Sequence, residues 1–231
     1  MNGHYAIAID GPSGAGKSTI ARAAAKRFGF IYVDTGAIYR TVGLAACRDG
    51  VDRRDESAVK ALLPGLQISM AYSDNGEQHM YLNGEDITAH IRAPEISISA
   101  SDVAALPSVR AFLMELQRRM ARENSVIMDG RDIGTVVLPD AEVKIFLTAS
   151  AEARAHRRLR ELEQKGVTVS FEEVLRDIEY RDEQDSHRAA APLKKADDAV
   201  VVDTSELNFD ESLELITGLI SQRLCIAAEE K

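Results

Sequence analysis

The chain has 231 residues, 45% hydrophobic and 28% charged, which is ordinary for a globular protein. Its net charge of −9 argues against a surface that coats nucleic acid, and no apolar stretch approaches the roughly 18 residues of a membrane span. The N-terminal segment lacks the basic start and apolar middle of a secretory signal. We therefore expect a cytoplasmic α/β domain with insertions and without a nucleic-acid or membrane partner. Short loops and the lack of an apolar surface helix favour a monomer.

Two cysteines, Cys47 and Cys225, lie far apart in the sequence, each among apolar neighbours. A disulfide between them is conceivable, but a reducing compartment favours free thiols. We therefore predict two buried thiols and no disulfide.

Five short runs rich in β-branched residues follow one another along the chain. They show no polar alternation, which is typical of strands that helices cover on both faces. The helix after the first run is predicted to close at Gly29, a typical C-terminal residue. Helical stretches separate most of the runs, so the pattern predicts a parallel sheet covered by helices. The predicted strands are residues 5–10, 30–34, 126–129, 143–148 and 199–203.

A long segment between the second and third strands departs from this alternation. Its middle contains three strand-like runs, punctuated by Asp74-Asn75-Gly76 and Asn83-Gly84. Asn-Gly is a strong hairpin signal, so we predict a small antiparallel sheet inserted among helices.

A second departure, residues 151–195, is rich in charge. A charged helix comes first, and a capping box formed by Ser170 and Glu173 opens another. Two charged helices that project from a sheet suit a lid, and they suit a solvated surface hairpin equally well.

The turn after the first strand matches the pattern G-x-x-x-x-G-K-[ST], with a strand before it and a helix after it as the motif requires. Glycines let backbone N–H groups surround a phosphate, and the helix directs its positive end at the anion. Lys17 would neutralise phosphate charge, and the Ser18 hydroxyl would ligate Mg²⁺. The motif predicts a P-loop NTPase fold that binds ATP through Gly11, Pro12, Ser13, Gly14, Ala15, Gly16, Lys17, Ser18 and Thr19.

Other classes of P-loop protein lack support in the sequence. It contains no N-K-x-D for reading guanine, no D-x-x-G and no Gly-Gly pair. These absences favour a small-molecule kinase whose acceptor is anionic or polar.

Six motifs follow one another along the chain: IDGPSGAGKST (9–19), DTGAIYR (34–40), SASDVAALPSVR (99–110), DGRDIGTVV (129–137), KIFLTASAEARAHRR (144–158) and YRDEQDSHRAAAPL (180–193). In the order and spacing of these motifs, the chain resembles the bacterial cytidylate kinases over nearly its whole length. The resemblance implies transfer of the γ-phosphoryl group of ATP to CMP or dCMP, with Mg²⁺. The alternatives are a kinase for UMP or a shikimate-like acceptor, or a nucleotide-binding regulator without activity.

The resemblance assigns Ser101 and Arg110, on either side of Pro107 where two helices are expected to meet, to the cytosine. Asp132 would accept from its exocyclic amine, so CMP and dCMP should be preferred over UMP. Thr35 would bind the acceptor and Arg40 its phosphate. From spacing alone, Thr35 is as well explained as a helix cap, and Arg40 as a surface residue.

Arg181, Asp185 and Arg188 are spaced to share one helix face, which by itself indicates no more than an ion pair and a spare arginine. The resemblance makes the first two ribose ligands and Arg188 a phosphate ligand. Arg131 would neutralise charge on the transferring group, so the catalytic residues would be Lys17, Arg131 and Arg188.

The predicted lid and the third strand complete the expected site. Arg154, Arg157 and Arg158 share a helix face, and Arg157 is assigned to ATP, although the spacing leaves open which of the three points inward. Asp129, at the end of the third strand, is expected near Mg²⁺ without ligating it directly.

The predicted organisation is core at 1–34, acceptor insertion at 35–106, core at 107–150, helical lid at 151–192 and core at 193–231.

Overall fold

The computed structural model describes residues 3–73, 77–164 and 166–228. The strands within these residues are β1 (Ala6–Asp10), β2 (Ile31–Asp34), β3 (Ile68–Tyr72), β4 (Gln78–Leu82), β5 (Glu85–Asp86), β6 (Val126–Gly130), β7 (Val143–Thr148) and β8 (Val200–Asp203). Five of them form a parallel sheet in the order β2-β6-β1-β7-β8, and β3, β4 and β5 form a second, antiparallel sheet. The predicted parallel sheet is confirmed, and each predicted strand end agrees within one residue.

Helices cover the parallel sheet and build the insertion and the predicted lid. Gly29 closes the first helix with φ 65°, and the capping box at Ser170 opens the seventh, both as predicted. The α-helices of the described residues are α1 (Lys17–Phe28), α2 (Thr35–Arg48), α3 (Glu56–Leu62), α4 (Pro94–Ala104), α5 (Pro107–Glu123), α6 (Ala151–Gln164), α7 (Phe171–His187) and α8 (Phe209–Leu224).

No single helix in the described part of the chain is long and apolar enough to cross a membrane. Residues 95–104 of α4 and all of α5 meet that test only when joined, and they are bent by 97° at the break before Pro107.

Both faces of the parallel sheet are buried in apolar clusters, which accounts for strand sequences without polar alternation. Along β1, Ala8 packs into the cluster beneath α2 and α5, whereas Ile7 and Ile9 pack into the cluster beneath α1 and α8. All three side chains are fully buried. Burial of an isoleucine side chain such as Ile7 or Ile9 stabilises the fold by about 1.5–3 kcal/mol.

The strand register brings three acidic residues to one edge of the sheet. Asp129 of β6 is paired in register with Asp34 of β2 and with Ile9 of β1, and Asp10 is paired with Gly130. Because ligands of open parallel sheets gather at the carboxyl ends of the strands, this edge is where a site is expected.

The inserted antiparallel sheet is confirmed. β3 pairs with β4, and β4 turns back into β5 through Asn83 and Gly84, which have φ 51° and 84°. The other predicted hairpin turn, residues 74–76, lies outside the described residues. The boundaries given above for core, insertion and lid stay predictions.

The prediction of two buried thiols is wrong, although both cysteines are free. Cys47 lies in the last turn of α2, directly after residues 41–46, which are all buried, so its exposure begins where the helix leaves the core. Cys225 is the residue at which the chain leaves α8, with φ 54°. Both thiols are therefore exposed.

Candidate active site

The glycine-rich turn links β1 to α1 and folds back over Lys17. Gly16 precedes the helix with φ 87°, and Lys17, the first helical residue, is only 5% exposed. Its Nζ atom donates to the carbonyl oxygen of Pro12 at 2.7 Å. A Cβ atom on Gly11 would clash with the backbone carbonyl of Leu147, so the turn requires glycine there.

The charge at this turn favours an anion. Burial lowers the pKa of Lys17, and the nearby positive charge of Arg131 lowers it further. An anion placed beside the ammonium group would stabilise its charged form. The start of α1 adds unpaired backbone N–H groups and the positive end of the helix dipole. The turn is therefore suited to phosphate.

A hydroxyl–carboxylate pair follows Lys17 directly. Ser18 Oγ donates to Asp129 Oδ2 at 2.8 Å, and the Tyr32 hydroxyl donates to Asp129 Oδ1 at 3.0 Å. Burial raises the pKa of Asp129, and the neighbouring charge of Asp34 raises it further. Asp129 is thus fixed at both carboxylate oxygens, beside the hydroxyl predicted to ligate the metal.

The residues after β6 turn sharply into the cleft. A Cβ atom on Gly130 would lie 2.8 Å from Thr35 Oγ1 and closer still to the Ile133 side chain, so no other residue fits without displacement. Arg131 Nε donates to Asp185 Oδ2 of α7 at 2.6 Å, across the space between sheet and lid. Asp185 is therefore paired with Arg131, and the intrahelical pair with Arg181 that spacing alone favoured is not the one formed.

Asp132 is the acidic centre of a buried charge cluster. One carboxylate oxygen accepts from Arg110 of α5, and the other accepts from Arg188 Nη2 at 3.3 Å. The side chains of Asp132, Arg110 and Arg188 are 6%, 7% and 10% exposed. The ring of Tyr39 lies under the Arg110 guanidinium, whose carbon is 5.8 Å from the ring centroid. The cluster gives one side of the cleft a charged and rigidly held surface.

The start of α2 excludes the helix-cap explanation for Thr35. Asp34 caps the helix by accepting from the backbone N–H of Ala37 at 2.9 Å, so Thr35 does not. Thr35 Oγ1 instead donates to the carbonyl oxygen of Asp129 at 2.7 Å. Arg40 is paired with Asp34 at 2.8 Å, and its buried Nε has no partner among the described residues.

The three arginines of α6 have different surroundings. Arg154 is buried, donates to the Ser13 carbonyl at 3.0 Å and pairs with Asp182 of α7 at 2.6 Å, so it ties the phosphate loop to both helices. Arg157 lines the cleft and donates to Thr204. Arg158 pairs with Glu161 on the surface.

One cleft of about 680 Å³ joins these parts, a volume typical of small-molecule sites. Ser101 of α4 and Arg181 of α7 also line it, whereas Gly11, Pro12 and Arg110 lie behind the lining. The sequence-predicted residues that line it are Ser13, Gly14, Ala15, Gly16, Lys17, Ser18, Thr19, Thr35, Arg40, Ser101, Asp129, Arg131, Asp132, Arg157, Arg181, Asp185 and Arg188.

Sequence reasoning missed several residues of the site. Asp34 and Asp10 each end a strand at the ligand-binding edge, a positional signal available in the sequence. Tyr32 and Tyr39 gave no such signal, because aromatic residues in a strand and a helix suggest packing alone. Phe209, which lies beyond the last strand, also lines the cleft.

The parallel sheet, the phosphate loop and a cleft that continues into an arginine-rich insertion define a P-loop phosphotransferase. The family model for cytidylate kinase matches residues 7–222. The chain therefore belongs to the cytidylate kinase family.

Curated relatives agree over most of the length. The cytidylate kinase of Lactobacillus johnsonii is 50% identical over 217 residues, which are 94% of each chain. The cytidylate kinase of Carboxydothermus hydrogenoformans is also 50% identical over 217 residues, 94% of this chain and 97% of that one.

A solved structure shares the fold at low sequence identity. An uncharacterised protein from Eubacterium ventriosum is 13% identical, with a TM-score of 0.50 over 96% of this chain and 98% of that one. Similarity at that level concerns the fold alone.

Proposed function

We propose that this chain transfers the γ-phosphoryl group of ATP to CMP or dCMP, giving ADP and CDP or dCDP. The observation that carries this is the position of the Asp132 cluster. A buried carboxylate held by two arginines lies on the wall of the same cleft that begins at Lys17. A phosphate-binding loop and a base-reading carboxylate thus share one cavity.

The loop end of the cleft is the donor end. Backbone N–H groups and Lys17 would hold the ATP phosphates, whose charge offsets the cost of burying the ammonium group. Arg157 extends this end towards Thr204, where the donor nucleoside would lie. Lid residues that exclude water would suppress hydrolysis of ATP.

The oxygen atoms beside the loop fit Mg²⁺. The Ser18 hydroxyl would hold the ion, while Asp129 continues to accept from Ser18 as it does here. Among the described residues, no group of three or more His, Cys, Asp or Glu is placed to hold a metal. Phosphate oxygens and water would thus complete the coordination. Bound Mg²⁺ neutralises phosphate charge.

The acceptor end would read the base through Asp132. Its carboxylate accepts from cytosine N4–H₂, whereas uracil has a carbonyl oxygen at that position and would leave two acceptors facing each other. Ser101 and Arg110 would complete the base edge, and Arg181 and Asp185 would contact the ribose. Thr35 would also contact the acceptor nucleotide.

Phosphoryl transfer requires mainly positioning and charge neutralisation. Arg131 lines the cleft together with Lys17 and is anchored to Asp185, which is assigned to the acceptor, so it is suited to act between donor and acceptor. Its guanidinium would stabilise the charge on the transferring group. Arg40 and Arg188 would hold the acceptor phosphate, whose oxygen needs no general base.

A cytoplasmic location and a monomeric state stay predictions.

A phosphotransfer panel tests the proposal. ADP release is measured with ATP constant and CMP, dCMP, UMP, AMP or shikimate as acceptor. We expect release with CMP and dCMP and little with UMP. Comparable use of UMP and CMP, or dependence on another acceptor alone, would contradict the proposal. Nucleotide binding with no turnover in any arm would indicate a regulator instead.

A further inference from the structure

We propose that Asp10 and Arg118 are positioning residues that hold the backbone turn after Asp132 from its two ends, and so set selectivity for the acceptor. The inference rests on the proposed function, because it concerns the carboxylate assigned to the base. The sequence analysis gives neither residue a role, and neither lines the cleft.

The turn itself is a single π-helical turn, residues 133–137, directly after Asp132. The carbonyl oxygen of Asp132 accepts from the N–H groups of Val136 at 2.9 Å and Val137 at 3.1 Å, and Leu138 donates to Ile133 at 2.7 Å. Turns of this kind are rare, and a single turn leaves most of its backbone N–H and C=O groups without partners inside it. Outside partners are therefore needed to hold one in place.

Asp10 supplies partners at the beginning of the turn. Its carboxylate accepts from the N–H groups of Ile133 at 2.8 Å and Gly134 at 2.7 Å, one on each oxygen. Asp10 is 5% exposed and ends β1, the strand that leads into the phosphate loop. The first unpaired N–H groups of the turn are thus bonded to the centre of the sheet.

Arg118 supplies partners at the end of the turn. Its Nε donates to the Val137 carbonyl and its Nη2 to the Val136 carbonyl, both at 2.9 Å. One planar guanidinium therefore bonds two successive carbonyl groups, a geometry that a lysine cannot reproduce.

The same helix also holds the Asp132 side chain. Arg110 and Arg118 both lie on α5, eight residues apart, or about 12 Å along the axis. Arg110 pairs with the Asp132 carboxylate, and Arg118 bonds the turn that carries the Asp132 backbone. With Asp10 at the opposite end, main chain and side chain of Asp132 are both fixed. Loosening the turn should therefore affect the acceptor end more than the donor end.

The test compares Arg118→Met with Arg119→Met, which removes the same charge from an exposed neighbour on α5. In Arg118→Met we expect the KM for CMP to rise about tenfold, equivalent to 1.4 kcal/mol, while the KM for ATP changes less than about twofold. The ratio of kcat/KM for CMP to that for UMP should fall by a similar factor. Arg118→Lys can restore one hydrogen bond, so its constants should lie between those of Arg118→Met and those of the parent protein. Arg119→Met should have the constants of the parent protein.

Asp10→Asn tests the other end independently, since the amide offers one acceptor where the carboxylate offers two. It should likewise raise the KM for CMP and leave the KM for ATP nearly unchanged. Unchanged constants in both variants, or an equal loss of CMP and ATP use as expected from simple destabilisation, would overturn the inference. If Arg118→Met does not fold, Arg118→Lys and Asp10→Asn decide by the same criterion. Failure of the parent protein to use CMP would instead overturn the proposed function.

Discussion

Replacing Asp132 by asparagine tests the charge cluster at the acceptor end most directly. The change keeps the size of the side chain and one carbonyl acceptor, but it removes the negative charge shared by Arg110 and Arg188. Arg110 and Arg188 are 7% and 10% exposed in their side chains, so water cannot replace the lost counterion at either. Two guanidinium groups would then lie beside each other without a neutralising partner.

The structure sets the size of the expected effect. Breaking a buried ion pair by removing one member typically costs about 3–5 kcal/mol of folding stability, and the acceptor retained by asparagine places the expectation at the lower end. The hydrogen bond from the cytosine amine to a charged acceptor is worth about 1.5–3 kcal/mol, so kcat/KM for CMP should fall by roughly tenfold to a hundredfold or more. Use of UMP should fall less, because that base gains nothing from the carboxylate.

Asp140→Asn provides the matched control, since it makes the same chemical change at an exposed position just beyond the π-helical turn. Urea unfolding gives the free energy of unfolding, and ADP release with CMP and UMP gives selectivity. If Asp132→Asn behaves like Asp140→Asn in both measurements, the assignment of Asp132 to the base is refuted. If Asp132→Asn loses stability but keeps its selectivity for CMP over UMP, the structural role of Asp132 stands and its contact with the base is refuted.

Three further predictions concern other parts of the molecule. Arg131→Met should lower kcat by about 10²–10³ while ATP affinity measured by calorimetry changes less than about threefold, since the guanidinium acts on the transferring group; equal losses would contradict this. Burial raises the pKa of Asp10 from 3.8 to about 6, so the folded state holds a proton that the unfolded state releases between those values. Relative to Asp10→Asn, the wild type should therefore lose about 2 kcal/mol in free energy of unfolding as pH rises from about 4 to about 6, and a pH-independent difference would oppose this. Ser170→Ala should cost about 1 kcal/mol in urea unfolding through loss of the α7 cap, whereas Ser186→Ala, at an exposed position near the other end of the same helix, should cost less.

The features that depend on local sequence could be predicted. The parallel strands follow from apolar runs such as residues 126–128, which are buried on both faces and need no long-range information. The phosphate loop follows from Gly11 to Ser18, because the turn needs glycines and the helix start is fixed by the chain itself. The small antiparallel sheet follows from the turn residues between its strands, of which Asn83-Gly84 is described.

The partners of the charged residues could not be predicted, because they depend on strand order and on how the lid packs. Spacing along α7 favoured a pair within the helix, yet Asp185 reaches Arg131, 54 residues away in the chain. The π-helical turn at 133–137 has no composition signal, since Asp10 and Arg118, which hold its ends, lie on other elements. Exposure of Cys47 likewise depends on where α2 leaves the core.

The pairing of arginines in the cleft has a consequence for recognition. Several arginines assigned to the acceptor already have a carboxylate partner: Arg40 has Asp34, Arg131 has Asp185, and Arg188 has Asp132. A simple anion must compete with these carboxylates, so pairing lowers affinity for phosphate alone while it keeps each guanidinium oriented. On the proposed function, a cytidine nucleotide would offer more, because its amine would bond to Asp132 and its ribose hydroxyls to Asp185 while its phosphate bound the arginines. On the proposed function, only an acceptor that satisfies acids and arginines together binds without leaving buried charges unpaired.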